Sequence, residues 1–104
     1  PRQFEKADEI WAEVKKAVTS GDFTLGPRVE KFEEEFAEFI GTKYAIGVNS
    51  GTDALRLSLL ALGIGKNTKD EVITAANTFV ASAGAIETAG ARIRFVDCND
   101  KYVM

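Results

Sequence analysis

The chain has 104 residues, of which 45% are hydrophobic and 28% charged, and its net charge is -3. This length allows one domain with a single modest core, and the small negative charge argues against nucleic-acid or anionic-membrane partners. No apolar run approaches the roughly 20 residues of a membrane span, and the N-terminus lacks the pattern of a signal peptide. The absence of histidine excludes Ser-His and Cys-His catalysis within the chain and argues against a transition-metal site. The single cysteine excludes an internal disulfide, which favours a cytoplasmic location.

The first 42 residues predict two helices. Residues 5–20 carry apolar side chains at helical spacing, and Gly21 is suited to end that helix. Residues 27–40 give the clearest amphipathic pattern in the chain, with Pro27 placed for the first turn. Its predicted apolar face consists of Val29, Phe32, Phe36, Phe39 and Ile40. The acidic run at residues 33–35 is interpreted as a solvated face of the helix.

Residues 43–104 predict the order β-α-β-α-β, which is typical of a parallel sheet with right-handed crossovers. The predicted strands are residues 44–48, 71–74 and 92–97, and the predicted helices are residues 52–62 and 79–89. The first of these helices is apolar nearly all round, which predicts burial on more than one side. Ligands of parallel sheets bind beyond the carboxyl ends of the strands, where the loops 49–53, 75–78 and 98–100 are expected.

The turn Asn49-Ser50-Gly51-Thr52-Asp53 joins a predicted strand to a predicted helix and has the residue types of an anion site. The first N–H groups of a helix have no internal partner, and the helix dipole adds positive charge there. Gly51 allows close approach of the backbone, and the Ser50 and Thr52 hydroxyls can bind a phosphate. The alternative interpretation is that Ser50 or Thr52 simply caps a crossover helix.

Phe79 follows the second predicted strand at the same edge of the sheet as this turn. An aromatic ring beside an anion site suits a planar heteroaromatic phosphate, on whose face the ring would stack. The alternative is that Phe79 packs beneath the sheet.

Several motifs together resemble one known family. They are Gly26-Pro27-x-Val29-x-x-Phe32-Glu33, the continuous run from Lys43 to Leu55, Leu60-Ala61-Leu62-Gly63-Ile64-Gly65, Asp70-Glu71-Val72-Ile73-Thr74, Ala76-Asn77-Thr78-Phe79-Val80-Ala81, and Gly90-Ala91 leading to Phe95-Val96-Asp97. As a set they closely resemble the DegT/DnrJ/EryC1/StrS sugar-aminotransferase family. The resemblance covers essentially the whole chain, as the N-terminal part of a longer family member.

The resemblance implies an α/β fold, the N-terminal part of the fold-type I large domain of pyridoxal 5'-phosphate (PLP) dependent transferases. That domain has three α/β/α layers and a mostly parallel sheet, which would be incomplete here. Residues 1–42 would supply N-terminal helices, and residues 43–104 the cofactor-binding portion. The resemblance further implies a homodimer that transfers an amino group from glutamate or glutamine to a nucleotide-linked keto sugar.

The resemblance also implies specific roles for residues of this chain. The cofactor phosphate would be held by Gly51, Thr52 and Asp53, and Phe79 would stack on the pyridine ring. The loop Thr24-Leu25-Gly26 would lie near the sugar-nucleotide substrate.

The chain contains no predicted catalytic residue. Amino transfer with PLP requires a lysine that binds the cofactor and an acidic partner for the pyridine nitrogen. In the family both come from later segments, so this chain alone is expected to be inactive. Three alternatives stay open: a PLP-dependent sugar dehydratase with histidine in place of that lysine, a non-catalytic regulatory or truncated relative, and an unrelated Rossmann-like module. The last would need a glycine-rich fingerprint, which is absent.

The chain starts at Pro1 and ends just after a predicted strand, as a piece of a longer protein would. By the resemblance, the spatial neighbours of strand 44–48 would come from later segments. That strand would then have unpaired backbone groups and exposed apolar surface. We expect the isolated chain to be marginally stable, prone to aggregation or locally rearranged.

Overall fold

The computed structural model describes residues 5–21, 23–67 and 69–101. Asp22 of the predicted first loop and the last three residues of the predicted C-terminal portion lie outside this set. The chain divides into two compact units, Pro1–Gly47 and Val48–Met104. The subdivision at residues 42 and 43 stays a prediction.

The first unit contains the two predicted helices, α1 (Ala7–Ser20) and α2 (Pro27–Ile40). Pro27 occupies the first turn of α2, where its missing N–H leaves no helix bond unmade. Gly41 ends α2 with φ 77° and donates its N–H to the carbonyls of Ala37 and Glu38. This left-handed conformation explains the glycine, because a side chain there would be strained.

The predicted apolar face of α2 is largely exposed. The rings of Phe32 and Phe36 stack with centroids 5.6 Å apart, yet both side chains, like Phe39, remain accessible to solvent. The single buried residue of α2 is Ala37, which lies on a different side of the helix from the phenylalanines.

The predicted strand at residues 44–48 is wrong for the described structure, in which this segment forms neither helix nor strand. A strand requires a hydrogen-bonded neighbour, and among the described residues the two observed strands pair only with each other. The segment consequently exposes its apolar side chains: Tyr44 is 72% and Ile46 81% exposed. That the partners of this segment lie in later segments stays a prediction.

The second unit contains α3 (Gly51–Ala61), β1 (Glu71–Ala75), α4 (Val80–Ala89) and β2 (Arg92–Val96), close to the predicted bounds. The strands β1 and β2 are parallel, with Glu71 opposite Arg92 and Ala75 opposite Val96. The predicted parallel pairing of these two strands is therefore confirmed.

Helix α4 forms the centre of the second unit, in contact with α3 and with both strands. Its small-residue face buries Ala85 and Ala89 beside Ile86, and Ala91 completes this small core. Small side chains allow the backbones of neighbouring elements to approach closely.

The prediction that α3 is buried on more than one side is wrong for the described residues. None of its residues is buried, and Leu55 and Leu57 are exposed, because its substantial helix contact is with α4 alone. Among the residues that the structure covers, no helix is long and apolar enough to cross a membrane.

Candidate functional site

The N-terminus of α3 is the candidate anion site. Ser50 precedes the helix in an extended conformation, and its Oγ accepts a hydrogen bond from the backbone N–H of Asp53 at 3.1 Å. The Ser50 hydroxyl also lies 3.3 Å from a carboxylate oxygen of Asp53, to which it can donate. The expected serine cap is thus present, and it uses the N–H of Asp53.

Two backbone N–H groups remain for a ligand at this turn. The described residues provide no hydrogen-bond acceptor for the N–H groups of Gly51 and Thr52, whereas Ala54 N–H is bonded to the Ser50 carbonyl at 3.0 Å. No atom lies within 4 Å of a Cβ built on Gly51, so the approach to this backbone is open. Free N–H groups at a helix N-terminus, with the Thr52 hydroxyl beside them, suit a phosphate group.

The structure shows the serine cap, which was the alternative interpretation of this turn, and leaves the phosphate site a prediction. Ser50 caps the helix, while Gly51 and Thr52 keep unpaired donors. Asp53 uses its backbone N–H for the cap. The predicted roles of Gly51, Thr52 and Asp53 in holding a phosphate stay predictions.

Phe79 is the N-cap residue of α4 and is 76% exposed. Among the described residues, this ring does not pack beneath the sheet. Stacking on a pyridine ring stays a prediction.

The loops that follow β1 and β2 contact each other. Ala76 N–H donates to the Val96 carbonyl at 2.9 Å, and the Asn77 side chain lies 3.4 Å from Cys98 Sγ. Just beyond them, the Thr78 and Ser82 hydroxyls are 3.1 Å apart and support the start of α4. These contacts fix the backbone that carries Phe79.

The predicted substrate loop, Thr24-Leu25-Gly26, belongs to the first unit. Leu25 has φ 45°, the left-handed region that a non-glycine residue rarely adopts, and its side chain is largely exposed. Gly26 caps α2, with its carbonyl accepting from Val29 N–H at 2.9 Å. An exposed apolar side chain on strained backbone is compatible with a contact residue, and the substrate role stays a prediction.

One structural contact was missed in the sequence. Glu33, assigned above to a solvated face, is half-buried and accepts a hydrogen bond from the backbone N–H of Gly47 at 2.5 Å. The signal was available in the four-residue spacing of Val29, Glu33 and Ala37, which places these three side chains on one row of α2.

The comparison with family models shows to which protein family the chain belongs. The model described as the DegT/DnrJ/EryC1/StrS aminotransferase family matches residues 5–104. The chain belongs to this family.

Known relatives share both sequence and backbone with the chain. A dTDP-3-amino-3,4,6-trideoxy-alpha-D-glucose transaminase of Micromonospora megalomicea is 43% identical over 101 residues, which make up 96% of this chain and 26% of the relative. A DegT DnrJ EryC1 StrS aminotransferase structure from Brucella abortus matches with a TM-score of 0.87 at 33% identity, covering 97% of this chain and 27% of that one.

A third relative has a different reaction in its name. The structure of an E. coli GDP-4-keto-6-deoxy-D-mannose-3-dehydratase with bound hydrated PLP matches with a TM-score of 0.75 at 31% identity. It covers 86% of this chain and 24% of that chain. The chain spans about a quarter of the length of these relatives. The predicted fold class, an incomplete part of this α/β transferase fold with a parallel sheet, is confirmed.

Proposed function

We propose that this chain is the cofactor-phosphate-binding part of a PLP-dependent aminotransferase that acts on a nucleotide-linked keto sugar. The observation that carries the proposal is the open turn at the start of α3, in a chain that belongs to the DegT/DnrJ/EryC1/StrS aminotransferase family. The N–H groups of Gly51 and Thr52 have no acceptor among the residues that the structure describes. The sugar transaminase from Micromonospora supports the substrate class. The PLP-bound dehydratase supports the cofactor.

In this proposal each residue has a defined task. The N–H groups of Gly51 and Thr52 and the Thr52 hydroxyl donate to the cofactor phosphate, and the Ser50 cap keeps the first turn of α3 in place for them. Phe79 covers one face of the pyridine ring. When bound, PLP supplies the electron-withdrawing ring that amino-group transfer requires.

The remaining parts of the proposed enzyme lie outside this chain. The lysine that binds the cofactor, the acidic partner of the pyridine nitrogen and the amino donor site would come from later segments, in a cytoplasmic homodimer. The loop Thr24-Leu25-Gly26 would contribute to binding of the sugar nucleotide.

The test is to express the complete reading frame and supply PLP, glutamate or glutamine, and nucleotide-linked keto sugars. We expect an aminated sugar nucleotide, identified by mass spectrometry. We expect Thr52→Val to weaken PLP binding, because it removes a hydroxyl donor. Ser58→Ala is the matched control: it removes a hydroxyl from the same helix, and within the described part of the chain this hydroxyl donates to the Ala54 carbonyl alone. A complete protein that neither binds PLP nor transfers an amino group contradicts the proposal.

A sugar dehydratase is the second candidate, favoured by the match to the E. coli dehydratase. The two reactions leave different products, because a dehydratase removes a hydroxyl group and leaves no new amino group on the sugar. Recovery of a deoxygenated sugar, together with histidine in place of the downstream lysine, would decide for the dehydratase.

A further inference from the structure

Helix α4 begins at a residue that cannot cap it. Phe79 occupies the N-cap position, where serine, threonine, aspartate and asparagine are preferred because their side chains accept a hydrogen bond from the first turn. A phenylalanine side chain has no such acceptor, and no side-chain cap bond is formed here. The ring is also 76% exposed, so it gains little from burial among the described residues. Natural proteins break local rules of this kind chiefly at functional sites, which supports a ligand-contacting role for the ring.

Two hydroxyl side chains, one on each side of Phe79, support the start of α4 in place of the missing cap. Thr78 Oγ1 donates to Ser82 Oγ at 3.1 Å, and both residues are half-buried. This hydrogen bond spans the first turn of the helix and joins the residue before Phe79 to the residue three positions after it.

The backbone on both sides of Phe79 is held as well. Its carbonyl accepts a hydrogen bond from Ser82 N–H at 2.9 Å. Thr78 N–H donates to the Ala75 carbonyl at the end of β1, at 3.2 Å. A fixed backbone leaves a side chain only its few staggered rotamers, so these contacts restrict where the Phe79 ring can point.

We propose that Thr78 and Ser82 are positioning residues for the cofactor: their hydrogen bond fixes the start of α4 and thereby the ring of Phe79 that stacks on the pyridine. The inference rests on the proposed function, since it assigns the hydroxyl pair an effect on PLP affinity. The attraction between stacked rings depends on their separation and offset, so a displaced Phe79 ring binds the cofactor less tightly. The effect belongs to the ring end of PLP, because the pair contacts α4 and β1 and not the turn before α3.

The test uses apoprotein expressed from the complete reading frame and titrated with three probes: PLP, pyridoxal, which lacks the phosphate, and inorganic phosphate, which lacks the ring. Thr78→Val replaces the hydroxyl by a methyl group of similar size. We expect it to weaken binding of PLP and pyridoxal by the same factor, about fivefold, the range of a hydrogen bond between neutral groups. Binding of inorganic phosphate should stay unchanged.

Two further variants accompany this measurement. Thr78→Ser keeps the hydroxyl and is expected to retain the affinity for PLP. Thr88→Val is the matched control: it makes the same replacement near the other end of α4, where the Thr88 hydroxyl donates to the Gly84 carbonyl. It should leave the affinities for all three probes unchanged. If Thr78→Val does not fold, Ser82→Ala removes the other partner of the same hydrogen bond, with the same expected losses.

A double-mutant cycle with Phe79→Leu separates positioning of the ring from a general effect on the fold. Phe79→Leu removes the aromatic ring, so no ring is left to position. Adding Thr78→Val to this variant should therefore change PLP affinity by less than about 1.5-fold, whereas independent effects would add.

The outcomes distinguish this inference from the function on which it rests. Equal losses for all three probes, or an undiminished loss in the Phe79→Leu background, would show that the hydroxyl pair has only a structural role and overturn the inference. Unchanged PLP affinity in Thr78→Val, or an equal loss in Thr78→Ser, would also overturn it. If the unmodified protein binds neither PLP nor pyridoxal, the proposed function fails as well, and this result is visible before any variant is compared.

Discussion

At the scale of single residues, the ion pair between Glu71 and Arg94 joins the two strands. Arg94 Nη2 lies 2.6 Å from Glu71 Oε1, and Arg94 Nε donates to the same oxygen at 2.9 Å. The hydrogen bond from Arg94, and then its charge, hold the pKa of the Glu71 carboxyl below its usual 4.5. Both side chains are accessible to solvent, so the pair contributes little to stability, and this contribution depends on pH.

We expect Arg94→Gln to lower the unfolding midpoint near neutral pH and to have less effect in acid. A carboxyl whose pKa is lowered by folding contributes stability above its unfolded pKa, and this contribution is lost as the pH falls through the folded pKa. The difference between the unmodified protein and the variant should therefore shrink below about pH 4.5. Thermal unfolding followed by circular dichroism across this range measures it.

Arg92→Gln is the control, because Arg92 lies on the same strand and influences Glu71 only through its charge, as the smallest contribution to that pKa. The prediction would be contradicted if the unfolding midpoints of Arg94→Gln and the unmodified protein differed by the same amount down to strongly acid pH.

At the scale of elements, the connection from α3 to β1 is packed against the connection from α4 to β2. Gly65 has φ 92°, and a Cβ on it would lie 1.8 Å from the Ala89 carbonyl oxygen. Asp70 supports this crossing, since its carboxylate accepts from Gly65 N–H at 2.8 Å and its carbonyl accepts from Arg92 N–H at 2.8 Å. Two loops, neither of which is regular structure, thus set how closely the helices and strands of the second unit approach.

We expect Gly65→Ala to destabilise the protein by about 3 kcal/mol or more, because the new methyl group overlaps backbone and the left-handed conformation is strained. Gly63→Ala is the matched control: Gly63 also has a positive φ, 79°, but a Cβ there meets no atom within 4 Å. We expect Gly63→Ala to lower the free energy of unfolding by about 1 to 2 kcal/mol, from backbone strain alone. Urea unfolding of the protein expressed from its complete reading frame measures the free energy of unfolding of both variants. Equal losses of stability in Gly65→Ala and Gly63→Ala would contradict the close contact of Gly65 with Ala89.

At the scale of the whole molecule, each unit exposes apolar surface. In the first unit, Phe32, Phe36 and Phe39 form an aromatic stripe along α2, and Phe39 is 83% exposed. In the second, an apolar groove of about 260 Å³ lies between α3, β1 and α4, with Leu55 and Ile73 among its lining residues. Contiguous apolar surface of this kind is typical of interfaces.

We expect the 104-residue chain, expressed alone, to associate at micromolar concentrations. The double variant Phe36→Ser and Phe39→Ser should reduce this association, because it removes two of the three rings of the stripe. Gel filtration with light scattering over a range of concentrations measures the mass. Lys31→Gln, on the same helix and outside the stripe, is the control. A monomer at every concentration, with a cooperative thermal transition, would contradict the prediction.

Much of this protein was determined by the sequence itself. The helices and strands of the described residues, the parallel pairing of β1 with β2 and the serine cap of α3 follow from local periodicity and from residues with special conformations. These features depend on neighbours within a few positions of the chain, and the sequence displays them directly.

The remaining features were decided by tertiary structure. Segment 44–48 has the composition of a strand but forms none in the described structure, since a strand depends on partners elsewhere. The sequence predicted an apolar face on α2 and burial of α3, yet both are exposed, because burial requires a second surface at the right place. Composition likewise does not indicate which of several neighbouring glutamates accepts the hydrogen bond from Gly47; in the structure it is Glu33. Only the path of residues 43–47 brings that carboxylate to a backbone N–H.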